Sequence, residues 1–224
     1  MRVIKAMHQA SGGVLEGKIR MGKLPRNAVL LWQAPSLPLS QIIADVNKFS
    51  NNVMAQQVFL TLSAQYSSFN TSLHLPGAAR TGSFARSTAT AQLWWRERFG
   101  QAAKAPTLEN GSGLSRHERI TAQALGDLLR LASRHPSSDI FSNSLSVAGV
   151  DGTAAKMANR GVVNAAIGNA QLKTGTMRDV VSIAGYAMAK SGQRYSVVGI
   201  INHPNANAAR PALDALLEWT VVEN

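Results

Sequence analysis

The sequence predicts an α/β fold in which an antiparallel sheet is flanked by helices, and the periodicity of the apolar residues is the main reason. In several segments between residues 42 and 132, apolar residues recur every three or four positions, which is helical spacing. Beyond Gly161 the period becomes two over three successive segments, which is typical of an antiparallel meander with short links. A final segment returns to helical spacing. Helices, then a meander, then a terminal helix laid on the sheet give the α/β arrangement.

The first predicted element is a short buried strand at residues 28–34, where an apolar run is closed by Pro35. Helical spacing then predicts helices at about residues 42–49, 53–62, 83–99 and 120–132. The first two helices are separated by Ser50-Asn51-Asn52, because three poor helix formers in a row favour a break. This break places a polar corner between two buried helices.

The meander and the last helix occupy the C-terminal part of the chain. Strands are predicted near residues 170–176, 181–189 and 194–202. The last two strands are joined by a turn at Ser191-Gly192-Gln193, and the terminal helix covers about 208–221 with Pro211 near its first turn. A dinucleotide-binding fold is not supported, because no G-x-G-x-x-G motif follows a strand.

Length, charge and composition limit the classes of function. The 224 residues suffice for one domain, or for one domain with part of a second. The formal net charge is +11, but the basic residues are thinly spread without interleaved aromatic residues, so nucleic-acid binding is only a minor alternative. The chain has no cysteine, and its five histidines lack metal-ligand spacing, so neither a metal nor a cofactor is predicted. No apolar run has the length of a membrane span or of a signal peptide.

A Lys173-Thr174-Gly175 tripeptide lies on the first strand of the predicted meander. Random order at this composition would produce it only about 0.03 times, so its presence is informative. An ammonium group, a hydroxyl donor and a glycine that admits a close backbone suit a strand that binds a carboxylate. The simpler alternative is an exposed lysine followed by a glycine bulge.

The polar corner Ser50-Asn51-Asn52 matches the pattern S-x-N, which chance alone produces about once in this chain. A second match, Ser68-Phe69-Asn70, shows how little the pattern means by itself. Its position upstream of a K-T-G strand gives it weight. Penicillin-binding proteins and class A β-lactamases combine S-x-x-K, S-D-N and K-T-G in one acyl-transfer site.

Longer runs make the resemblance specific. The chain resembles the D-alanyl-D-alanine carboxypeptidase/endopeptidase family, the class C low-molecular-mass penicillin-binding proteins, from about residue 6 to Trp219. The runs that carry it are 47–55 (NKFSNNVMA), 111–116 (GSGLSR), 147–153 (VAGVDGT), 173–176 (KTGT) and 184–186 (AGY). The resemblance implies the penicillin-binding/β-lactamase-like transpeptidase fold and a serine peptidase.

One family motif is missing: none of the eight lysines has a serine three residues before it, so the chain contains no S-x-x-K. The nearest imitation is Thr153-Ala154-Ala155-Lys156. The resemblance therefore implies an incomplete fold whose nucleophile lies upstream. In this interpretation residues 1–35 are the end of an inserted region and the re-entry into the catalytic domain, and residues 36–224 are the C-terminal part of that domain. The complete protein is expected to be periplasmic, with its signal peptide outside this chain.

The resemblance implies catalytic roles for three residues. Ser50 would relay a proton toward the leaving amine, and Lys173 would supply the field that favours the transfer. Asn52 would hydrogen-bond the substrate amide. Asn51 replaces the usual aspartate at a position that is not expected to face the substrate.

Substrate binding is assigned to the K-T-G strand. Thr174 would hold the terminal carboxylate, Gly175 would allow the substrate backbone to lie close, and the Thr176 N–H would form half of an oxyanion hole. The expected partners are peptidoglycan peptides that end in D-Ala-D-Ala, with β-lactams as inhibitors. The alternative is a non-catalytic peptidoglycan-binding or partner module. The loop from Gly111 to Ser115 either shapes the rim of this site or is an ordinary turn with a helix N-cap at Ser115.

Overall fold

The computed structural model describes residues 2–17, 22–23, 25–30, 33, 35–69, 81–161 and 164–223, without the side chains of residues 2–4 and 66–69. The chain forms two compact units, Met1–Ser36 and Leu37–Asn224. The first unit contains helix α1, Arg2–Ala10, which the sequence analysis did not predict. The interpretation of residues 1–35 as the end of an inserted region stays a prediction.

The strand predicted at 28–34 is wrong for the part of it that the structure describes. Residues 28–30 and 33 have no regular secondary structure, and residues 31, 32 and 34 lie outside the described residues. Val29 and Leu30 are 80% and 76% exposed rather than buried. An apolar run becomes a strand only when a neighbouring strand can satisfy its backbone groups, and none of the described strands pairs with this one.

The helices of the second unit agree with the predicted periodicity. They are α2 Leu39–Phe49, α3 Asn52–Phe69, α4 Phe84–Phe99, α5 Ala122–Ser133, α6 Ser138–Ser144 and α7 Arg210–Val222. Side-chain caps set two of the starts: Ser83 Oγ accepts the Arg86 N–H at 3.3 Å, and Thr121 Oγ1 accepts the Ala124 N–H at 3.1 Å. Only α6 was not predicted, because seven residues are too few to establish a period.

The sheet consists of four antiparallel strands in the order β1-β2-β3-β4. They are β1 Ser146–Val147, β2 Ala170–Met177, β3 Val180–Met188 and β4 Arg194–Asn202. The predicted meander of the last three strands is confirmed, whereas β1 is too short to be visible as a period. Because β1 pairs only with Gln171 and Leu172, the rest of β2 has no strand beside it on that edge within the described ranges.

Helices cover both faces of the sheet. On one face, Leu172 and Val181 pack with Leu217 of α7 and with Met157 of a 3₁₀ helix, Gly152–Asn159. On the other face, Tyr186 packs against Leu129 of α5. The Tyr186 hydroxyl donates to the Leu129 carbonyl at 2.7 Å, so this aromatic residue belongs to the core. In the part of the chain that the structure describes, no helix is long and apolar enough to cross a membrane.

Candidate active site

The corner between α2 and α3 presents Ser50 in an uncommon backbone conformation. Ser50 ends α2 with φ 53° and ψ 46°, in the left-handed region, which costs a residue with a Cβ about 1–2 kcal/mol. Asn51 then caps α3, because its Oδ1 accepts the Met54 N–H at 3.1 Å. The chain thus leaves one helix and enters the next within two residues. Such strain is kept where the surrounding structure requires a particular side-chain position, which is common at functional sites.

Lys173 of β2 meets this corner. Its Nζ donates one hydrogen bond to Ser50 Oγ, across 123 residues of sequence, and another to the Thr174 carbonyl at 3.0 Å. Burial lowers the pKa of Lys173 from its usual value of 10.5. The structure therefore brings together the two residues that the motifs predicted to converge. A lysine whose ammonium form is disfavoured exchanges its proton more readily near neutral pH.

The next three residues of β2 differ in their surroundings. The Thr174 hydroxyl donates to Thr153 Oγ1 at 2.8 Å. At Gly175 an added Cβ would lie 2.3 Å from Ser182 Oγ, so the glycine keeps the strand surface clear where β2 adjoins β3. Thr176 is exposed, and its hydroxyl accepts a bond from Arg210 Nη2 at 3.4 Å.

The outer edge of β2 is open beside this site. The Ala170 carbonyl accepts the Ala148 N–H at 2.8 Å from the β1 side. Because backbone groups alternate along a strand, the N–H and C=O groups of Thr174 and Thr176 point to that same edge. β1 has already ended there, so among the described residues no strand takes up these groups. An extended ligand could pair with them.

A cleft of ≈ 1680 Å³ adjoins this edge, and all the predicted site residues line it: Ser50, Asn52, Lys173, Thr174, Gly175 and Thr176. Asn52 begins α3 and is partly buried. Within the described ranges, no hydrogen bond ties its side-chain amide to another residue. Hydroxyl, amide and ammonium groups thus face one space from two helices and a strand. The assignment of roles among them stays a prediction.

The loop from Gly111 to Ser115 lies on the wall of this cleft. No helix starts at Ser115, because α5 begins at Ala122. Ser115 Oγ instead accepts the N–H groups of His117 at 2.9 Å and Glu118 at 3.2 Å, and Glu118 Oε1 accepts the N–H of Glu109 at 2.9 Å. The structure therefore favours the rim over the helix cap.

The same rim reaches the turn between β2 and β3. Arg116 Nη1 donates to the Arg178 carbonyl at 3.1 Å and lies 3.9 Å from Asp179 Oδ2. Arg178 and Asp179 otherwise pair with each other at the surface, with Arg178 Nε 4.0 Å from Asp179 Oδ2.

Sequence reasoning missed the residues that support the site. Lys48 pairs with Asp151 just before the corner, Thr153 holds the Thr174 hydroxyl, and Arg210 reaches Thr176. Asp151 and Thr153 do lie in the run 147–153 that contributed to the resemblance. That run could have indicated their importance, but nothing in it indicated which residues they contact.

Comparison with known proteins identifies the family of this chain. A model of the D-Ala-D-Ala carboxypeptidase 3 (S13) family matches residues 1–221. The chain belongs to this family. It is 31% identical over 223 residues to a D-alanyl-D-alanine carboxypeptidase from Actinomadura sp. (strain R39). It is 25% identical over 202 residues to the D-alanyl-D-alanine carboxypeptidase DacB of Haemophilus influenzae.

Solved structures confirm the penicillin-binding fold. Penicillin-binding protein 4 of Haemophilus influenzae, in complex with a novel β-lactam, superposes with a TM-score of 0.76 at 22% identity and covers 96% of the S13 chain. A predatory endopeptidase from Bdellovibrio bacteriovorus, in complex with an immunity protein, gives 0.61 at 16% identity and covers 82%. The S13 chain spans 38% and 39% of the length of the two curated relatives, and 49% and 43% of these two structures.

Proposed function

We propose that this chain supplies the proton-relay and carboxylate-binding side of a serine-type D-Ala-D-Ala carboxypeptidase/endopeptidase that acts on peptidoglycan peptides. The observation that carries the proposal is the hydrogen bond from Lys173 Nζ to Ser50 Oγ at the open edge of β2. Two motifs that mean little when they are apart form one polar group in a cleft.

The direction of that hydrogen bond supports a relay. Because Ser50 Oγ accepts a proton from Lys173, its own proton can point toward a ligand. Ser50 would pass that proton to the leaving amine when the bond between two D-alanines breaks, and Lys173 would replace it. The lowered pKa of Lys173 reduces the cost of this replacement.

The open edge supports the binding of an extended peptide. The backbone groups of Thr174 and Thr176 can pair with the substrate, as an added strand pairs with a sheet edge. The Thr174 hydroxyl would hold the terminal carboxylate, and the Thr176 N–H would stabilise the tetrahedral oxyanion. Asn52 has an amide that is available for the peptide bond on the acyl side. β-Lactams, which present a carboxylate beside a strained amide, would occupy the same groups.

The attacking serine is the part that these 224 residues lack, since none of their lysines completes S-x-x-K. We propose that it comes from a further segment of a longer, periplasmic protein. The serine oxygen would add to the substrate carbonyl carbon and give up its proton to the lysine of the same S-x-x-K segment. The tetrahedral intermediate would then lose the amine, which takes its proton from Ser50, and water would finally hydrolyse the acyl-enzyme.

Intact-mass spectrometry after incubation with penicillin tests the proposal. We expect a stoichiometric adduct on the product of the complete gene and none on the 224-residue chain, because preorganised donors cannot form an acyl bond without a nucleophile. Lys173→Ala in the complete product should slow adduct formation, whereas Lys190→Ala, in the turn between β3 and β4, should not. An adduct that maps to Ser50 or Thr153 of this chain would contradict the proposal. A complete product that stays unmodified would favour the non-catalytic peptidoglycan-binding module.

A further inference from the structure

One short segment, Val147–Thr153, contacts both halves of the site. It leaves β1, turns, and enters the 3₁₀ helix. The turn is tied to itself, because Asp151 Oδ1 accepts the Val147 N–H at 2.7 Å and the Gly149 N–H bonds to the Ala154 carbonyl at 3.1 Å. Ala154, at its end, is fully buried in the core. The segment is therefore a fixed part of the fold, on which other groups can be placed.

Its first contacts hold the end of α2. Lys48, two residues before Ser50, forms an ion pair with Asp151. Gly152 packs so closely that an added Cβ would lie 2.6 Å from the Lys48 carbonyl oxygen. One residue earlier, Asn47 Nδ2 donates to Ser144 Oγ at 2.8 Å. Two contacts from the segment to Lys48, and one from Ser144 of α6 to Asn47, thus fix the last turn of α2, from which the strained Ser50 projects.

Burial by itself would raise the pKa of the Asp151 carboxyl. The hydrogen bond from Lys48, the Val147 N–H bond and the Lys48 charge together outweigh that effect, so the pKa of Asp151 lies below its usual value. Asp151 is therefore ionised at neutral pH. Its carboxylate therefore stays charged under the conditions in which the site would work.

The last contact of the segment is with the K-T-G strand. The hydroxyls of Thr153 and Thr174 are 2.8 Å apart, and either can donate to the other. When Thr174 donates its proton to a carboxylate, its oxygen can accept from Thr153 instead. Thr153 thereby keeps the Thr174 hydroxyl oriented whether or not a ligand is bound.

We propose that Asp151 and Thr153 are positioning residues for the reaction, and that their segment sets the distance between the Ser50 corner and the K-T-G strand. Asp151 acts on Ser50 through Lys48, and Thr153 acts directly on Thr174. This inference rests on the proposed function for its catalytic meaning. The geometry that it asserts is testable in the 224-residue chain by itself.

The first experiment follows the titration of the Lys173 side chain by NMR in this chain and in its Asp151→Asn variant. If the ion pair holds the corner against Lys173, its loss admits water to the Lys173 ammonium. Burial then disfavours the charged form less, and the titration midpoint of Lys173 rises by about 0.5 pH unit or more. Loss of a distant negative charge alone would lower the midpoint. Asp127→Asn, which removes a surface ion pair with Arg130 on α5, is the matched control and should leave the midpoint unchanged. An unchanged or lowered midpoint in Asp151→Asn would overturn the inference.

The second experiment tests the other end of the segment, with variants of Thr153 in the product of the complete gene. Thr153→Val removes the hydroxyl at nearly constant shape, so KM for a D-Ala-D-Ala peptide should rise about tenfold while kcat stays within about twofold. Thr153→Ser, which keeps the hydroxyl, should restore KM. Equal kinetics for Val and Ser would refute the role of Thr153. If the unmodified product has no activity at all, the proposed function fails, while the Lys173 titration still decides whether Asp151 positions the corner.

Discussion

Gly185 of β3 controls how closely β2 approaches, and its replacement by alanine should displace the strand that carries Lys173. A Cβ at Gly185 would lie 2.0 Å from the Gln171 carbonyl oxygen and 3.0 Å from Leu172 Cα. Both atoms belong to the backbone of β2, so no side-chain rotation can relieve the first contact. Since ordinary contacts of a Cβ begin near 3.4 Å, β2 has to retreat by roughly an ångström.

The magnitude follows from this displacement. Overpacking that requires a backbone shift costs about 1–3 kcal/mol, and in a chain of this size each kcal/mol lowers Tm by about 2–4 °C. We therefore expect Gly185→Ala to melt about 2–12 °C below the unmodified chain. A shift of about 1 Å at a reacting group can cost about 100-fold in rate, so penicillin acylation of the complete gene product should slow correspondingly.

The matched control is the same substitution at Gly126 in α5, where an added Cβ meets nothing within 4 Å. Alanine is the better helix former there by about 0.5–1 kcal/mol, so Gly126→Ala should raise Tm by a few degrees. Circular-dichroism melts of the three chains provide the comparison. A Gly185→Ala chain with an unchanged Tm would show that β2 and β3 are not packed as described, and the placement of Lys173 would lose its basis.

Three further outcomes are expected. Burial lowers the pKa of Lys173, so its positive charge destabilises the folded chain at any pH below that pKa. Lys173→Met should therefore raise Tm at pH 7, and the gain in Tm should shrink as the pH rises toward 10.5. A gain that grows with pH would contradict this reasoning. Arg160→Ala leaves the buried carboxylate of Asp214 unpaired, so urea unfolding should show a loss of about 3–5 kcal/mol. Phe49 and Val53, on either side of the Ser50 corner, are 68% and 67% exposed, so we expect the chain to self-associate in sedimentation velocity and Phe49→Ser and Val53→Ser to reduce that association. Equal association of the variants would exclude these two side chains as its cause.

Periodicity predicted the elements that are long enough to show a period. The meander and the helices on either side of Ser50 are confirmed. They were predictable because their apolar residues repeat over several turns or along a whole strand. The two-residue strand β1 and the seven-residue helix α6 are too short to carry such a signal. The strand predicted at 28–34 shows the opposite error. A short apolar run says nothing about whether another strand is available to pair with it.

The sequence predicted the residues that would carry the chemistry of the candidate site, but not the residues that hold them in position. Lys173 and Ser50 could be expected to meet because the K-T-G and S-x-N motifs to which they belong form one acyl-transfer site in penicillin-binding proteins. The contact itself spans 123 residues, which no periodicity reveals. The resemblance supplied that link, and the structure supplied the distance.

The residues that position the site could not be predicted, and the reason is physical. A group that takes part in proton transfer must be a type that can donate or accept, and so it limits the residues allowed at its position. A group that holds another in place needs only a complementary contact, which aspartate and threonine provide at countless structural positions. Asp151 and Thr153 therefore look ordinary in sequence, and their role becomes visible only where one segment contacts Lys48 on one side and Thr174 on the other. Positioning residues are accordingly the part of such a site that a structure adds to its motifs.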